Sequence, residues 1–593
     1  MKELEYPFDA SYLMTHRRQL KKTLTAQSAA FTDKRIAILG GSTTAAIGWM
    51  VELFLLNQQI RPKFYESEYN RYYEEGAFPN QKLKEFKPDI IYIHTTNRNI
   101  SRYPQISDSA ETVDRMLKEE FEKLKQVWEN LQSTYRCPVI QNNFELPFYR
   151  LLGNKDASDL HGAVNFLTRL NIKLYEYAQT HENFYICDIN YISADYGLKE
   201  WSDPFYWYMY KYAVNVDAIP FLAFNVSNII KSVFGKNKKG FVLDLDNTLW
   251  GGVIGDEGTE NIKIGSEEAS GQVYWEFQRY LKAHKQLGIV LNINSKNNKE
   301  NALAGLNHPD SQLRPEDFVE IKANWEPKDR NFEEIAGNLN LLPDSLVFVD
   351  DNPAERHIIE AQPWGVSVPD MGEPHHYIQN IDRNGYFEAT TISSDDQKRS
   401  QMYQRNAERA NFQSGFGDYG EYLKSLEMRA AIKPFESVYM ARIAQLTNKT
   451  NQFNLTTKRY SQAEIEAIAQ DPSFITLYGR LEDRFGDNGV VSVVIGRIVG
   501  MECHMDLWLM SCRVLKRGLE CAMMDEVVRQ CRERGLRKIY GYYLPTGKNS
   551  MVREFYKQQG FQMETEEPGG SVWAYDLSDS WETKNKYIQV EGM

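Results

Sequence analysis

The sequence predicts an α/β protein of several domains, and three observations lead to this prediction. The chain has 593 residues, enough for three or four domains at roughly 150 residues each. Strand-like and helix-like stretches alternate over residues 1–235 and again over 240–385, which is typical of parallel sheets covered by helices. Residues 425–593 mix strands with one marked helix, so we expect an α+β unit there.

Composition and charge exclude several classes of protein. The net charge of -12 argues against a nucleic-acid partner, because phosphate backbones are bound by basic surfaces. The six cysteines include no CxxC pair, which fits a reducing compartment and argues against a disulfide framework or a zinc ribbon. The first residues lack the apolar segment of a signal peptide, and the longest apolar run near them is too short to span a bilayer. We therefore expect a cytoplasmic protein without a membrane partner.

Strands and helices are predicted along the chain from their apolar patterns. In the first part we expect a charged helix at 109–132 and strands at 35–39, 89–94, 137–141 and 184–189. In the second we expect strands at 240–245, 289–294, 318–323 and 345–349. In the last we expect a helix at 518–533 and strands at 489–496, 505–509 and 538–543.

Domain boundaries follow from composition. The stretch 234–240 is rich in glycine and lysine, which is typical of a hinge between domains. We expect the charged helical stretch at 395–424 to connect two further domains. The predicted division is 1–235, 238–390, a connector at 391–430, and 431–593.

Two carboxylates stand at the end of an apolar strand in the sequence FVLDLDNTLW. Asp244 and Asp246 lie two residues apart, and Thr248 follows them. Open α/β sheets bind ligands beyond the carboxyl ends of their strands. Two carboxylates at this spacing allow one to attack phosphorus while the other handles the proton of the leaving group.

Three further polar groups follow predicted strands. Ser295, with Lys296 beside it, ends GIVLNIN; Lys328 lies in NWEPK; Asp350 and Asp351 follow SLVFV. Since the ends of parallel strands meet at one edge of a sheet, these groups should converge with Asp244 around one point. A solvated Asp-x-Asp turn is the alternative interpretation, and the three matching fragments argue against it.

The set of fragments resembles the four motifs of the haloacid-dehalogenase (HAD) superfamily, in its FkbH-like branch. The resemblance rests on DLDNTLWGG, NWEPK and FVDDNPAER, and it covers about 240–360. It implies a HAD-like Rossmannoid domain in which Asp244 is the nucleophile and a Mg²⁺ ligand. Asp246 would be the general acid and base and would bind the metal through its carbonyl. Asp351 would be the last metal ligand, with Asp350 beside it or on the metal.

The resemblance also implies which groups hold phosphate. Ser295 and Lys328 match the groups that contact the transferring phosphoryl oxygens, and Thr248 and Lys296 lie beside them. A carboxylate nucleophile facing an anionic phosphoryl group needs positive charge, which Mg²⁺ and Lys328 would supply. The space between Thr248 and Ser295 leaves no room for a large cap domain, so we expect an open site suited to a large substrate.

The first 235 residues resemble the SGNH-hydrolase-like domain of FkbH-like proteins. The resemblance rests on Ser42 in LGGSTT, Asn97 in HTTNRN and Asp203 in WSDPFYW. A working esterase of this class has a histidine three residues after the aspartate, to accept the serine proton. That position is Tyr206 here, so we expect a non-hydrolytic binding or docking domain with vestigial hydrolase positions.

The C-terminal part resembles the GNAT acyltransferases. In MSCRVLKRGLE, the residues Arg513, Lys516, Arg517 and Gly518 lie between a strand and a helix, where such enzymes bind pyrophosphate. Lys516 departs from the pattern by replacing a glycine, so Lys516 and Arg517 would bind phosphate by charge.

The thiol of Cys512 lies immediately before this loop. It is either a small buried residue or, as the family resemblance implies, a residue that accepts an acyl group.

The resemblance implies one overall function. FkbH-like proteins load a glyceryl group from 1,3-bisphosphoglycerate onto an acyl-carrier protein and remove phosphate. Two alternatives stay open. One is a phosphatase acting on a phosphosugar or glycan intermediate, with a separate acyl-transfer role, and the other is a scaffold without catalytic activity.

Overall fold

The structure is a computed structural model, which describes residues 1–27, 31–392, 398–413 and 415–591. Within these residues the chain separates into two compact units, Met1–Val233 and Phe234–Met593. The further division of the second unit into a phosphatase domain, a connector and a C-terminal domain stays a prediction.

The first unit is built on a five-stranded parallel sheet with the strand order β2-β1-β3-β4-β5. Its strands are β1 Thr32–Gly40, β2 Ile60–Glu66, β3 Ile90–His94, β4 Val139–Asn142 and β5 Phe184–Cys187. Strand β3 is buried along its whole length, as expected for a central strand covered on both faces. The sequence analysis did not predict β2, an edge strand whose short apolar pattern is interrupted by three charged residues and a proline.

Helices surround this first sheet. They are Ala10–Gln27, Ala45–Asn57, Tyr72–Ala77, Gln81–Phe86, Ala110–Tyr135, Ala163–Thr180, Ile189–Tyr196, Leu198–Trp201, Pro204–Tyr210 and Ile219–Val233. The helix Ala110–Tyr135 begins after Ser109, whose Oγ accepts a hydrogen bond from the Thr112 amide at 3.3 Å. Its apolar stripe, including Val113 and Leu117, packs in one core with Ile91 and Ile93 of β3.

The second unit contains a four-stranded parallel sheet with the order β8-β7-β6-β9. Its strands are β6 Gly240–Leu243, β7 Val290–Ser295, β8 Glu320–Ala323 and β9 Leu346–Val349. The surrounding helices are Ile254–Glu257, Ala269–Gln286, Lys299–Leu306, Lys328–Asn338, Pro353–Glu360 and Tyr377–Asp382. The chain leaves β6 toward β7 on one side and returns as β9 on the other. The crevice for a ligand therefore lies beyond the carboxyl end of β6.

Two helices, Arg399–Gln413 and Tyr419–Ser425, occupy the predicted connector at 395–424. Residues 395–397 and 414 of that prediction lie outside the described residues.

A mixed sheet of nine strands completes the second unit, with the order β16-β17-β15-β14-β13-β12-β10-β18 and β11 beside β14. The strands are β10 Arg429–Lys433, β11 Phe453–Asn454, β12 Phe474–Asp483, β13 Gly486–Val499, β14 Glu502–Met510, β15 Lys538–Tyr543, β16 Gln562–Glu567, β17 Gly570–Asp576 and β18 Gln589–Val590. The helices Met440–Lys449, Gln462–Gln470, Leu519–Glu533 and Phe555–Gln558 accompany it. Neighbours β14 and β15 run parallel, as do β10 and β18.

The predicted fold class is confirmed: the protein is an α/β multidomain chain with two parallel sheets and a mixed sheet in its C-terminal part. In the part of the chain that the structure describes, every helix is too short or too polar to cross a bilayer.

Candidate active site

Asp244 stands at the carboxyl edge of the four-stranded sheet, between β6 and β9. Its amide donates a hydrogen bond of 2.9 Å to the Val349 carbonyl, which continues the pairing of the two strands by one residue. The carboxylate is buried, with an oxygen 3.0 Å from the ammonium of Lys328. The position of Asp244 is thus fixed by the backbone of two central strands.

Lys328 begins the helix Lys328–Asn338, and its carbonyl accepts a hydrogen bond of 2.8 Å from the side chain of Asn294 in β7. The ammonium lies 2.5 Å from an oxygen of Asp350 and 3.0 Å from one of Asp244, and the side chain is only 3% exposed. Burial alone would lower the pKa of Lys328, but the charges of Asp244 and Asp350 outweigh it and raise that pKa. Lys328 therefore carries a fixed positive charge at this point.

Three carboxylates meet at the same point. Oxygens of Asp244, Asp350 and Asp351 all lie within 4.8 Å of one another. Burial raises the pKa of Asp350 and of Asp351, and repulsion from the charge of Asp244 raises both further. One lysine cannot neutralise three carboxylates, and an oxygen-only donor set suits a hard divalent cation. The residues present fit a metal site.

Asp246 is oriented by three hydrogen bonds. One carboxylate oxygen accepts from the indole of Trp250 at 2.8 Å and from the Ile254 amide at 3.2 Å. The other accepts from the Asn297 side chain at 3.1 Å. Burial raises the pKa of Asp246, which favours a carboxyl that can give and take a proton. The sequence analysis did not single out Trp250 or Asn297, although both lie inside the motifs DNTLW and SKNN.

The groups expected to hold phosphate lie around this point. Thr248 is buried, and its hydroxyl accepts a hydrogen bond of 3.2 Å from the Asp351 amide. Ser295 is buried at the carboxyl end of β7. Lys296 differs from these two, because its half-exposed side chain is paired with Glu355 at 2.6 Å.

Arg356 is a further residue of the site that was not predicted. The guanidinium of Arg356 donates to the backbone carbonyls of Asp350 and Asp351 at 2.9 and 2.7 Å. This arginine closes the turn that presents both carboxylates. The only sequence signal for it was its place in DDNPAER.

In the first unit, two of the three predicted vestigial positions, Asn97 and Asp203, make hydrogen bonds within the fold. Ser42 is buried after β1. The amide nitrogen of Asn97 donates to the Glu145 carboxylate at 3.1 Å. Asp203 caps the helix Pro204–Tyr210 by accepting from the Phe205 amide at 2.8 Å. Burial raises the pKa of Glu145 to about 7. These bonds give Asn97 and Asp203 structural roles, while catalysis by this unit stays untested.

The three cations of the predicted phosphate loop in the C-terminal part differ in how far they are buried. Arg517 is buried and donates to Asp483 at 3.0 Å, and Asp483 also binds the buried Arg409. Arg513 is buried, and its Nε donates to the Ser511 hydroxyl at 3.1 Å. Lys516 is the exposed cation of the three. Phosphate binding by this loop stays a prediction, and in this conformation only Lys516 presents its charge to solvent.

The backbone of that loop is left-handed at Lys516 and Gly518, with φ of 64° and 83°.

Cys512 immediately precedes the loop. The thiol of Cys512 lies 3.6 Å from the Tyr403 hydroxyl and packs against the apolar cluster that includes Phe332 and Phe348. Both interpretations of Cys512 stay open, because the side chain is half-buried and next to a polar group.

Comparison with known proteins supports parts of the sequence analysis. Residues 35–231 match the family model described as FkbH, N-terminal domain. The solved N-terminal part of protein BF1531 from Bacteroides fragilis, which contains a phosphatase domain complexed with Mg, is similar at 28% identity with a TM-score of 0.59. That alignment covers 63% of this chain and 99% of the other. The predicted resemblance to FkbH-like proteins is confirmed by these matches.

Acetyltransferase structures align over a smaller part of the chain. The ribosomal-protein-S18-alanine N-acetyltransferase from Escherichia coli is 14% identical with a TM-score of 0.20, covering 26% of this chain and 97% of the other. Ard1 from Thermoplasma volcanium is 21% identical with a TM-score of 0.20, covering 25% and 97%. Among curated proteins, none matches this chain.

Proposed function

We propose that the site around Asp244 is a Mg²⁺-dependent phosphoryl-transfer site that removes phosphate from a phosphorylated small molecule. The observation that carries the proposal is the meeting of Asp244, Asp350 and Asp351 around the buried Lys328. The phosphatase-domain structure from Bacteroides fragilis, which contains Mg, supports the choice of metal. The metal would be held by these carboxylates and the Asp246 carbonyl, and it would neutralise their charge and that of the phosphoryl oxygens.

The reaction proceeds in two displacements. The Asp244 carboxylate attacks phosphorus, the bond from phosphorus to the leaving oxygen breaks, and protonated Asp246 gives that oxygen its proton. Asp246 then takes a proton from water, which attacks the aspartyl phosphate and releases inorganic phosphate. Lys328 and Ser295 hold the phosphoryl oxygens in both steps.

The phosphoryl-transfer site is coupled to acyl transfer by the C-terminal part, and the substrate is 1,3-bisphosphoglycerate. The Cys512 thiol first loses its proton to water, and the thiolate attacks the acyl carbon. The bond between that carbon and the phosphate oxygen breaks, and inorganic phosphate leaves with the bonding electron pair. The thioester then passes to the thiol of an acyl-carrier protein. The remaining phosphate ester is hydrolysed at Asp244, so that a glyceryl group is loaded.

Intact-mass spectrometry tests this function. The protein is incubated with 1,3-bisphosphoglycerate, Mg²⁺ and a carrier protein, and we expect a glyceryl adduct on the carrier. Cys512→Ser should abolish any adduct on the enzyme, whereas Asp244→Asn should leave an adduct that retains phosphate. Phosphate release from a phosphosugar panel without any adduct would favour the phosphosugar alternative. Absence of both activities would support the scaffold alternative.

A further inference from the structure

A group of cationic side chains gathers at the other edge of the phosphatase sheet, around Asp344. Residues 236–239 lead into the amino end of β6, and Asp344 lies just before the amino end of β9. This position is opposite the carboxyl edge that holds Asp244. We call the group formed by Lys236, Lys238, Lys239, Arg459 and Lys548 the cationic cluster.

Asp344 is the carboxylate that this cluster surrounds. The ammonium of Lys548 is ion-paired with its side chain, and that of Lys238 donates to its backbone carbonyl at 2.7 Å. The charges of Lys548, Lys238 and Lys239 all lower the pKa of Asp344, although burial acts in the opposite direction. Asp344 therefore stays ionised, and it balances a single positive charge.

Within the described residues, Arg459 makes no ion pair with a carboxylate. Its guanidinium donates to the backbone carbonyls of Thr447 and Thr450 and to the Asn451 side chain. These bonds use three of its five N–H donors. Burial lowers the pKa of Arg459 to about 10, so the group stays protonated near neutrality.

Lys236 lies between these groups. The preceding Gly235 packs so closely that an added Cβ would stand 2.1 Å from the Asn448 carbonyl oxygen, which fixes the course of the backbone here. Burial and the charges of Lys548 and Arg459 together lower the pKa of Lys236 to about 8, while the charge of Asp344 acts in the opposite direction. Among the described residues, its ammonium makes no hydrogen bond or ion pair within bonding distance.

The charge balance of the cluster is unusual for this protein. Among the described residues, Lys236 is exposed to the charges of Lys548 and Arg459, and Asp344 is the one carboxylate that acts on it, in a chain whose net charge is -12. Like charges held together in a half-buried place destabilise the fold unless an anion joins them. Ammonium and guanidinium groups arranged around a point are the usual partners of a phosphate group.

We propose that Lys236, Arg459 and Lys548 form a second anion site, which binds the phosphate group of a phosphorylated ligand. The site goes beyond the proposed function, because it lies at the opposite edge of the sheet from the reacting phosphate. Two sources share this chemistry: a free phosphorylated metabolite and the phosphate of a carrier protein's phosphopantetheine arm. Arg459 belongs to the C-terminal part and Lys236 to the lead into β6, so one anion would bridge both.

Residue-resolved lysine acylation, read by peptide mass spectrometry, tests the proposal on the full chain. The labelling rates of Lys236, Lys548 and Lys328 are compared without addition and with inorganic phosphate, 4′-phosphopantetheine or pantetheine. We expect both phosphate-bearing probes to slow labelling of Lys236 and Lys548 and pantetheine to have no effect. Protection by 4′-phosphopantetheine but not by inorganic phosphate would support the site and identify the carrier arm as its source.

If the probes slowed the acylation of Lys328 only, the phosphate would bind at the Asp244 site alone, and the proposed second site would be wrong. Equal protection of Lys236 by pantetheine would also overturn it. Lys236→Gln should weaken the protection of Lys548 by phosphate roughly tenfold or more, because a charged hydrogen bond is lost. Lys236→Arg should retain it, and the half-exposed Lys433→Gln is the control. Protection unchanged in Lys236→Gln, with an unaltered melting curve, contradicts the proposal.

Discussion

Replacement of Lys328 by methionine tests the electrostatic account of the site most directly. Methionine keeps most of the side-chain volume and removes the positive charge that Asp244 and Asp350 share. At an effective dielectric constant of about 20, each contact is worth roughly 5–7 kcal/mol of attraction, at separations of 3.0 and 2.5 Å. Desolvation of the lysine offsets part of this. We therefore expect a net loss of about 3–5 kcal/mol, as for other buried pairs that lose one partner.

The assay is chemical unfolding of the full chain in the presence of a chelator and then of Mg²⁺. A divalent cation among the same carboxylates supplies positive charge, so the loss in Lys328→Met should shrink when Mg²⁺ is added. The matched control is Lys296→Met, whose ammonium pairs with Glu355 while its side chain is 40% exposed. The ammonium of this pair is partly in water although Glu355 is only 12% exposed, so the substitution should cost about 1 kcal/mol, well below the Lys328 variant.

Activity gives a second measurement on the same variants. Lys328→Met should lower the rate of phosphate release by roughly 10²–10³-fold, because it removes the positive charge that the proposed function assigns to the transferring oxygens. Equal destabilisation of the Lys328 and Lys296 variants, or a loss that Mg²⁺ does not change, would refute the electrostatic account.

Three further predictions concern single positions. Asp244→Asn should lower phosphate release by about 10³-fold or more, since the amide cannot attack phosphorus, as a phosphate assay would show. Gly541→Ala should destabilise the protein by about 1–3 kcal/mol in chemical unfolding, because the new Cβ would stand 2.3 Å from the ring of buried Tyr556. Asp483→Asn should cost about 3–5 kcal/mol in the same experiment, since it leaves the buried charges of Arg409 and Arg517 without the carboxylate that both contact.

Matched controls separate these effects from general damage. Gly337→Ala places its Cβ in open space within a helix, so it should leave stability unchanged or raise it slightly. Asp487→Asn removes a largely exposed pair with Arg480 and should cost about 1 kcal/mol or less. If Gly541→Ala or Asp483→Asn matched its control, the packing or ion-pair argument at that position would be wrong.

The sequence alone was sufficient for the strands of the phosphatase sheet and for Asp244, Lys328 and Asp351. Buried parallel strands are continuous apolar runs, and their ligand-binding groups follow them directly in the chain. A short stretch of sequence is therefore enough to predict both the strand and the polar residues that follow it. Edge strand β2 escaped prediction because half-exposed strands have weak apolar patterns.

Contacts between segments distant in the chain were decided only by the tertiary structure. The loop MSCRVLKRG suggested three cations for phosphate, yet packing against Asp483 buried Arg517 and left Lys516 exposed. The hydrogen bond from Arg356 to the backbone carbonyl of Asp350 likewise could not be predicted from the motif. The sequence shows which residues are charged. How strongly these charges interact depends on their burial, and burial is decided only when distant segments of the chain pack together.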